Sequence, residues 1–189
     1  MNRLAFLPQL EEAVTRALAE DLGARGDITS RATVPASAQA SFSIVAREQG
    51  VLAGRACAQL TFARVDRNIE QRWHLDDGHA LEAGALIADI SGPAVGILTA
   101  ERTALNFLGR LSGIATLTRS FVAATGSSGV AMAHTRKTTP GLRAAEIEAV
   151  VAGGGKRHRA GLSDAILIKD NHVATAGGIR PALERARAF

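Results

Sequence analysis

The chain has 189 residues, 47% of them hydrophobic and 21% charged, which suits one generous domain or two small ones with a packed core and excludes a disordered or fibrous protein. Its 22 Lys+Arg against 18 Asp+Glu leave a formal charge of only +4, and with no Tyr and one Cys to buffer at high pH the sequence pI of 10.2 overstates how basic it is. Six Phe and one Trp offer little for base stacking and the positive charge is local, so a nucleic-acid binder is disfavoured. No apolar run approaches the ~20 residues that span a bilayer, and the lone Cys57 cannot form a disulfide within the chain. The expectation is a soluble cytoplasmic protein with no membrane partner.

From Leu7 to Leu22 the residues Leu7, Leu10, Val14, Ala17, Leu18 and Leu22 recur at helical spacing, with Pro8 suited to a first turn, so the segment reads as an amphipathic helix. Gly23 and Gly26 end it, and Asp27 to Ser30 reads as a polar turn. Glu20, Asp21 and Asp27 lack a His or further oxygen ligand at fixed spacing, which makes them a helix end and a turn cap rather than a metal site. Gln39 to Arg47 alternates, with Ala40, Phe42, Ile44 and Ala46 on one face, as a half-buried strand does. Gly50 to Gly54 then turns the chain into a helical run in which Cys57 reads as a buried apolar side chain.

A second strand is expected over Asn68 to Leu75, followed by a turn at Asp76 to His79 in which His74 and His79 are exposed loop histidines. Ala85 to Ile90 and Ala94 to Leu98 are short apolar runs separated by Ser91-Gly92-Pro93. Thr99 is the expected cap of a long helix from Ala100 to Arg119, interrupted near Ser112-Gly113. Arg102 and Asn106 share one face of it, as a surface pair or as an approach to a partner subunit. Val130 to Ala133 reads as a buried parallel strand, 144–152 as a helix broken by Gly153 to Gly155, Ala165 to Ile168 as a second buried strand, and Ile179 to Phe189 as a final amphipathic helix.

The stretch from His134 to His172 concentrates Arg136, Lys137, Arg143, Lys156, Arg157, Arg159 and Lys169 against Glu146, Glu148, Asp164 and Asp170. Two readings are open. A charge run can be a solvated face; cations just beyond apolar strands and beside glycine-rich loops can instead converge on the oxygens of a small polyanion.

The motifs narrow the choice. Glu20-Asp-Leu-Gly, Gly26-Asp-Ile-Thr-Ser30, Gly50-Val-Leu-Ala-Gly54, Glu101-Arg-Thr-Ala-Leu-Asn-Phe-Leu108, Ser112-Gly-Ile-Ala-Thr116, Thr135-Arg-Lys-Thr-Thr-Pro-Gly-Leu-Arg143, Gly153-Gly-Gly155, His158-Arg159 and Leu167-Ile-Lys-Asp-Asn-His172 stand in the order of a known family. Over nearly its whole length the chain resembles the quinolinate phosphoribosyltransferases, also called nicotinate-nucleotide pyrophosphorylases (carboxylating).

The resemblance implies an α/β fold: an N-terminal α/β sandwich over 1–110 and, over 111–189, the first part of an open α/β barrel-like domain whose remainder, with its acidic residues, is missing from this chain. It implies transfer of the phosphoribosyl group of phosphoribosyl pyrophosphate to quinolinate with decarboxylation, giving nicotinate mononucleotide, with Mg2+ held by substrate and by residues beyond this chain and none assigned to a residue in it. It implies substrate-binding roles for Arg136, His158 and Arg159 on the two carboxylates. Arg102 is the implied arginine reaching into a neighbour's site in a homodimer, and Lys137 and Lys169 the catalytic and substrate-binding lysines. Ile147 and Glu148 stand where Lys and Tyr are common in the family, Val151 where Arg is, and Arg157 where Asn is, with Lys156 and Arg157 as the cations placed to compensate. A catalytically dead anion-binding or assembly module, or a transferase for another carboxylated ring, is the alternative expectation.

Overall fold

The computed structural model describes residues 6–189. The chain is mixed α/β, in the order α1 (Leu7–Leu22), α2 (Ile28–Thr33), β1 (Gln39–Val45), β2 (Gly50–Val51), α3 (Arg55–Val65), β3 (Glu70–Trp73), β4 (Ala80–Leu81), β5 (Leu86–Pro93), α4 (Ala94–Thr125), α5 (Arg143–Ala152), α6 (Asp170–Ala176) and α7 (Ile179–Ala188). It divides into two compact units, one ending at His158 and one running from Arg159 to Phe189.

In the first unit, β5 is the central strand of an antiparallel sheet in the order β1-β5-β3, and β2 pairs with β4. The alternation read from Gln39 and from Asn68 follows from this pairing. Ile90 and Ala88 of β5 lie opposite Phe42 and Ile44 on one side and Gln71 and Trp73 on the other, one face turned to α3 and α4. Leu52, Ala58, Phe62, Ile87, Ile97, Ala100, Ala104 and Leu108 fill that layer. A second cluster places Leu10, Val14 and Leu18 of α1 against Cys57, Phe107, Leu111 and Ala115, with Ala145 and Ala149 of α5 closing it.

Several expectations are corrected. Asp27 to Ser30 is not a free turn: Asp27 caps α2, its carboxylate accepting from Ser30 N–H at 2.9 Å. Ala94 to Leu98 is not a separate run but the first turns of α4, so Thr99 does not cap it. The Thr99 hydroxyl instead donates within the helix to Val95 O (2.7 Å) and lies 3.1 Å from the Asp27 carboxylate. A short apolar run fits strand or helix equally by periodicity, and here Ala94, Ile97, Ala100 and Ala104 continue one buried helical stripe.

Helix α4 also runs unbroken through Ser112-Gly113 for 32 residues. Ser112 turns its hydroxyl sideways to Ala53, near both its N–H (3.0 Å) and its carbonyl (3.2 Å), instead of bending its own helix.

Neither expected buried strand of the later chain forms. Val130 to Ala133 contributes one parallel bridge, Ala133 to Lys156, and Val130 is 61% exposed. Ala165 to Ile168 has no ladder partner among the described residues, and Ile166 and Leu167 are exposed. An apolar run becomes a strand only when neighbours take up its N–H and C=O groups. In the second unit α6 and α7 pack on each other, and the expected last helix is α7 with Pro181 in its first turn.

Candidate functional site

Arg136 and Lys137 sit on the loop that leaves the Ala133 bridge, and His158 ends the segment on the other side of it. Two backbone hydrogen bonds fix the pair of segments, Lys156 N–H to Met132 O at 2.7 Å and His134 N–H to Lys156 O at 3.3 Å. The buried His134 adds a third, its Nε2 donating to His158 O at 3.0 Å. The structure thus brings the Arg136-Lys137 loop and the His158 segment side by side. Lys137 and His158 are exposed; Arg136 is half-buried, and its Nε is buried with no hydrogen-bond partner. A guanidinium N–H withdrawn from water and left unpaired suits an anion, because a buried donor without an acceptor is costly.

The loop is anchored from below by Glu146 of α5. Its carboxylate accepts from Thr139 N–H (3.1 Å) and from Arg110 Nη2 (2.8 Å), and the same Arg110 nitrogen donates to Thr139 Oγ1 (2.7 Å). Burial by itself would raise the Glu146 pKa, but the hydrogen bonds from Thr139 and Arg110 outweigh it and hold the carboxyl below its ordinary range. Arg143 Nε donates to Thr138 Oγ1 at 3.2 Å, and Lys137 N–H to Thr135 Oγ1 at 3.1 Å. Pro140 and Gly141, with Arg16 Nη2 on Gly141 O (2.9 Å), close the loop against α1. No spacing rule finds this anchor, because Arg110 and Glu146 lie on different helices.

Arg102 is exposed on α4. It precedes Arg110 by eight residues, about 12 Å of helix axis, so within one chain it stands away from the Thr139 end of the loop. Asp21 and Asp27 meet the same part of α4, within reach of the Thr103 (3.3 Å) and Thr99 (3.1 Å) hydroxyls.

In the second unit, Arg159 Nη1 donates to Ala165 O at 3.2 Å, and Asp164 closes the loop by accepting from Ala160 N–H (2.6 Å) and Gly161 N–H (2.9 Å). These backbone donors hold Asp164 below the usual carboxylate range. Lys169 precedes α6, and its N–H donates to His172 Nδ1 at 2.9 Å. The Leu-Ile-Lys-Asp-Asn-His segment therefore enters a helix instead of ending a strand.

Of the departures, Ile147 is a fully buried apolar residue of α5. Arg157 is not a spare cation: its Nη2 pairs with Glu148 at 2.5 Å and its guanidinium lies 5.2 Å from the centre of the Phe6 ring. Only Lys156 remains exposed to compensate. Cys57 is buried, its thiol pushed up to about 12 first by burial and then by the charge of Asp77, which removes it as a nucleophile. His74 and His79 are exposed and outside the strands as expected, His74 Nε2 meeting Asp89 at 2.8 Å and His79 turning Nδ1 to the Asp76 backbone. Among the described residues no group of three or more His, Cys, Asp or Glu is placed to hold a metal ion.

Two family models match in tandem: the quinolinate phosphoribosyl transferase N-terminal domain over 27–112 and the C-terminal domain over 114–189. A tobacco (Nicotiana tabacum) protein named quinolinate phosphoribosyltransferase [decarboxylating] 2b, mitochondrial, is 43% identical over 93% of this chain and 49% of its own length. A probable nicotinate-nucleotide pyrophosphorylase [carboxylating] of Bacillus subtilis is 43% identical over 99% of this chain and 63% of its own. The crystal structure of NadC from Streptococcus pyogenes superposes with a TM-score of 0.90 at 39% identity, covering 100% of this chain and 65% of that one. The chain spans about half the length of the plant relatives it matches.

Proposed function

The chain belongs to the quinolinate phosphoribosyltransferase family, and from that premise we propose that it serves the transfer of a phosphoribosyl group from phosphoribosyl pyrophosphate to quinolinate, with loss of CO2, in the making of nicotinate mononucleotide for NAD. The observation that carries this reading is the paired loops of the first unit, which hold the half-buried Arg136 with an unpartnered Nε beside the exposed Lys137 and His158.

In this reading Arg136, His158 and Arg159 grip the two neighbouring carboxylates, a planar fork matching a carboxylate where a point charge does not. Arg102, exposed on α4, serves the site of a second copy in a homodimer. Lys137 and Lys169 face the phosphorylated sugar and offset the charge that builds on departing pyrophosphate. The pyridine nitrogen attacks ribose C1 as the C1–O bond to pyrophosphate breaks. The ring, now cationic, takes up the electron pair released when the C2 carboxyl leaves as CO2, and C2 is then protonated. No nucleophilic side chain enters, so catalysis rests on positioning and charge.

Magnesium is proposed to arrive with the pyrophosphate of the substrate. The domains are proposed to divide near residue 110, as the two matched models suggest. A reducing, cytoplasmic setting is proposed on the single buried Cys57; no helix of the described residues is long and apolar enough to cross a membrane.

The test is calorimetric titration of quinolinate into the chain and into the Arg136→Ala/Arg159→Ala double variant, beside a turnover assay with phosphoribosyl pyrophosphate and Mg2+ that follows nicotinate mononucleotide. Loss of about 100-fold or more in quinolinate affinity is expected, on the order of two charge-assisted forks. Binding that survives the double substitution would sink the assignment.

A further inference from the structure

Residues 155–158 form an extended segment in which exposure alternates. Lys156 and His158 face outward and Arg157 faces inward, as successive side chains of an extended chain must. The outward pair belongs to the anion-facing surface. The inward residue ties the segment to the rest of the unit.

Arg157 reaches Glu148 on α5 at 2.5 Å, both side chains largely withdrawn from water (23% and 19% exposed), and lies over the Phe6 ring at the start of α1. On either side of it the backbone is pinned elsewhere: Lys156 N–H to Met132 O, and His158 O to the His134 ring. The chain running to His158 is therefore held at three successive residues, twice by the segment 132–134 and once by α5. Of the three, Arg157 supplies the side-chain hold onto the helical layer, to which Gly155 N–H also donates at Val150 O (2.9 Å).

We propose that Glu148 and Arg157 form a latch that positions His158 for an anionic carboxylate ligand, and that neither touches the ligand itself. The proposal rests on the functional reading above for the identity of the ligand, not for the latch. Its physical basis is that a guanidinium paired through Nη2, its Nη1 buried without a partner, has a fixed place in poor contact with water, and that the backbone of the next residue inherits it. The two residues act as a unit, so removing one leaves the other charge half-buried and unpaired, whereas removing both does not. Opposite charges at these positions are thus one device rather than two separate differences in the anion-binding stretch.

The full chain, labelled with 13C at the histidine rings, separates the possibilities when compared as Glu148→Gln, Arg157→Asn and the double variant. Each single substitution is expected to move the ring resonances of His158 and leave those of His74 and His79 in place. Each is also expected to weaken binding of pyridine-2,3-dicarboxylate about tenfold, the scale expected when a binding group is displaced by a fraction of an ångström. The double variant is expected to lie closer to wild type than the product of the singles. Unmoved His158 resonances in both folded single variants, or strictly multiplicative losses, overturn the latch. If Arg157→Asn fails to fold, Arg157→Lys retains charge without the fork and gives the same two readouts. A wild-type chain that does not bind the dicarboxylate overturns the functional reading, while the His158 resonances still decide the latch.

Discussion

Glu146 couples the packing of α5 to the shape of the loop that carries Arg136 and Lys137. Its side chain is only 9% exposed, yet it satisfies a loop N–H and the guanidinium of Arg110, which is itself 55% exposed. The hydrogen bonds hold its folded pKa below the ordinary glutamate value of 4.5. A carboxyl depressed in the folded state contributes stability that is fully present above the unfolded pKa and is lost as pH falls through the folded one. Glu146→Gln keeps an acceptor but not the charge and should cost about 1–2 kcal/mol at pH 7, the low end because Arg110 can return to water. Urea unfolding at pH 7 and again near pH 3 checks this: the gap between wild type and variant should shrink in acid, and an equal gap at both would show that the charge contributes nothing. At this scale the sequence was legible where a residue's type decides its setting, as with the buried apolar side chain of Cys57. It was silent where a task depends on a partner from another element, as with Arg110 and Glu146 or Arg157 and Phe6.

Helix α4 touches almost every part of the first unit, and Gly153 at the end of α5 packs tightly against it. A Cβ there would stand 2.4 Å from Ala115 O and 2.6 Å from Thr118 Cβ, both on α4. The glycine has φ −70°, a value any residue adopts, so packing and not backbone freedom requires it. Gly153→Ala should therefore destabilise by about 2–4 kcal/mol as α5 is pushed off α4. Gly113→Ala is the matched control: it lies mid-helix, exposed, with nothing within 4 Å of the added methyl, and should stabilise by up to ~1 kcal/mol. Thermal melts of the two variants should move in opposite directions, and a neutral Gly153→Ala would refute the close approach. The contrast also shows what periodicity can find. It recovered α1 and α5 because their apolar stripes face a single layer, and it located the break at Gly153 without the reason for it. It failed at Ala94 to Leu98 and at Ala165 to Ile168, where a short apolar run carries no period of its own and neighbours decide.

Across the whole molecule burial is unevenly distributed, and that predicts how stability is distributed. The first unit holds both core clusters, with Val14, Leu52, Ala58, Ala100, Ala104 and Ala115 sealed from solvent. In the unit from Arg159 to Phe189, Ala182 alone among the described residues is buried, while Ile166 stays exposed before α6 and Ile179 and Leu183 stay exposed on α7. Helices of seven and ten residues gain little from propensity, because nucleation is costly and each depends on an apolar face being covered. Amides of α6 and α7 should thus exchange with solvent deuterium orders of magnitude faster than those of α3, α4 and β5, which open only with global unfolding. Hydrogen exchange followed by mass spectrometry reads both units in one sample. Slow exchange of α7 matching that of α4 would mean that Leu183 and Ile179 find cover in solution, and would move Lys169 and Arg159 from a weakly held segment to a rigid one. The distinction bears on function directly, because a cation on a weakly held segment must be ordered by its ligand and that ordering is subtracted from affinity. The loop of Arg136 and Lys137 and the segment ending at His158, anchored through Glu146, Arg110 and His134, bear less of that cost, so the cations of the first unit are preorganised where Arg159 and Lys169 are not.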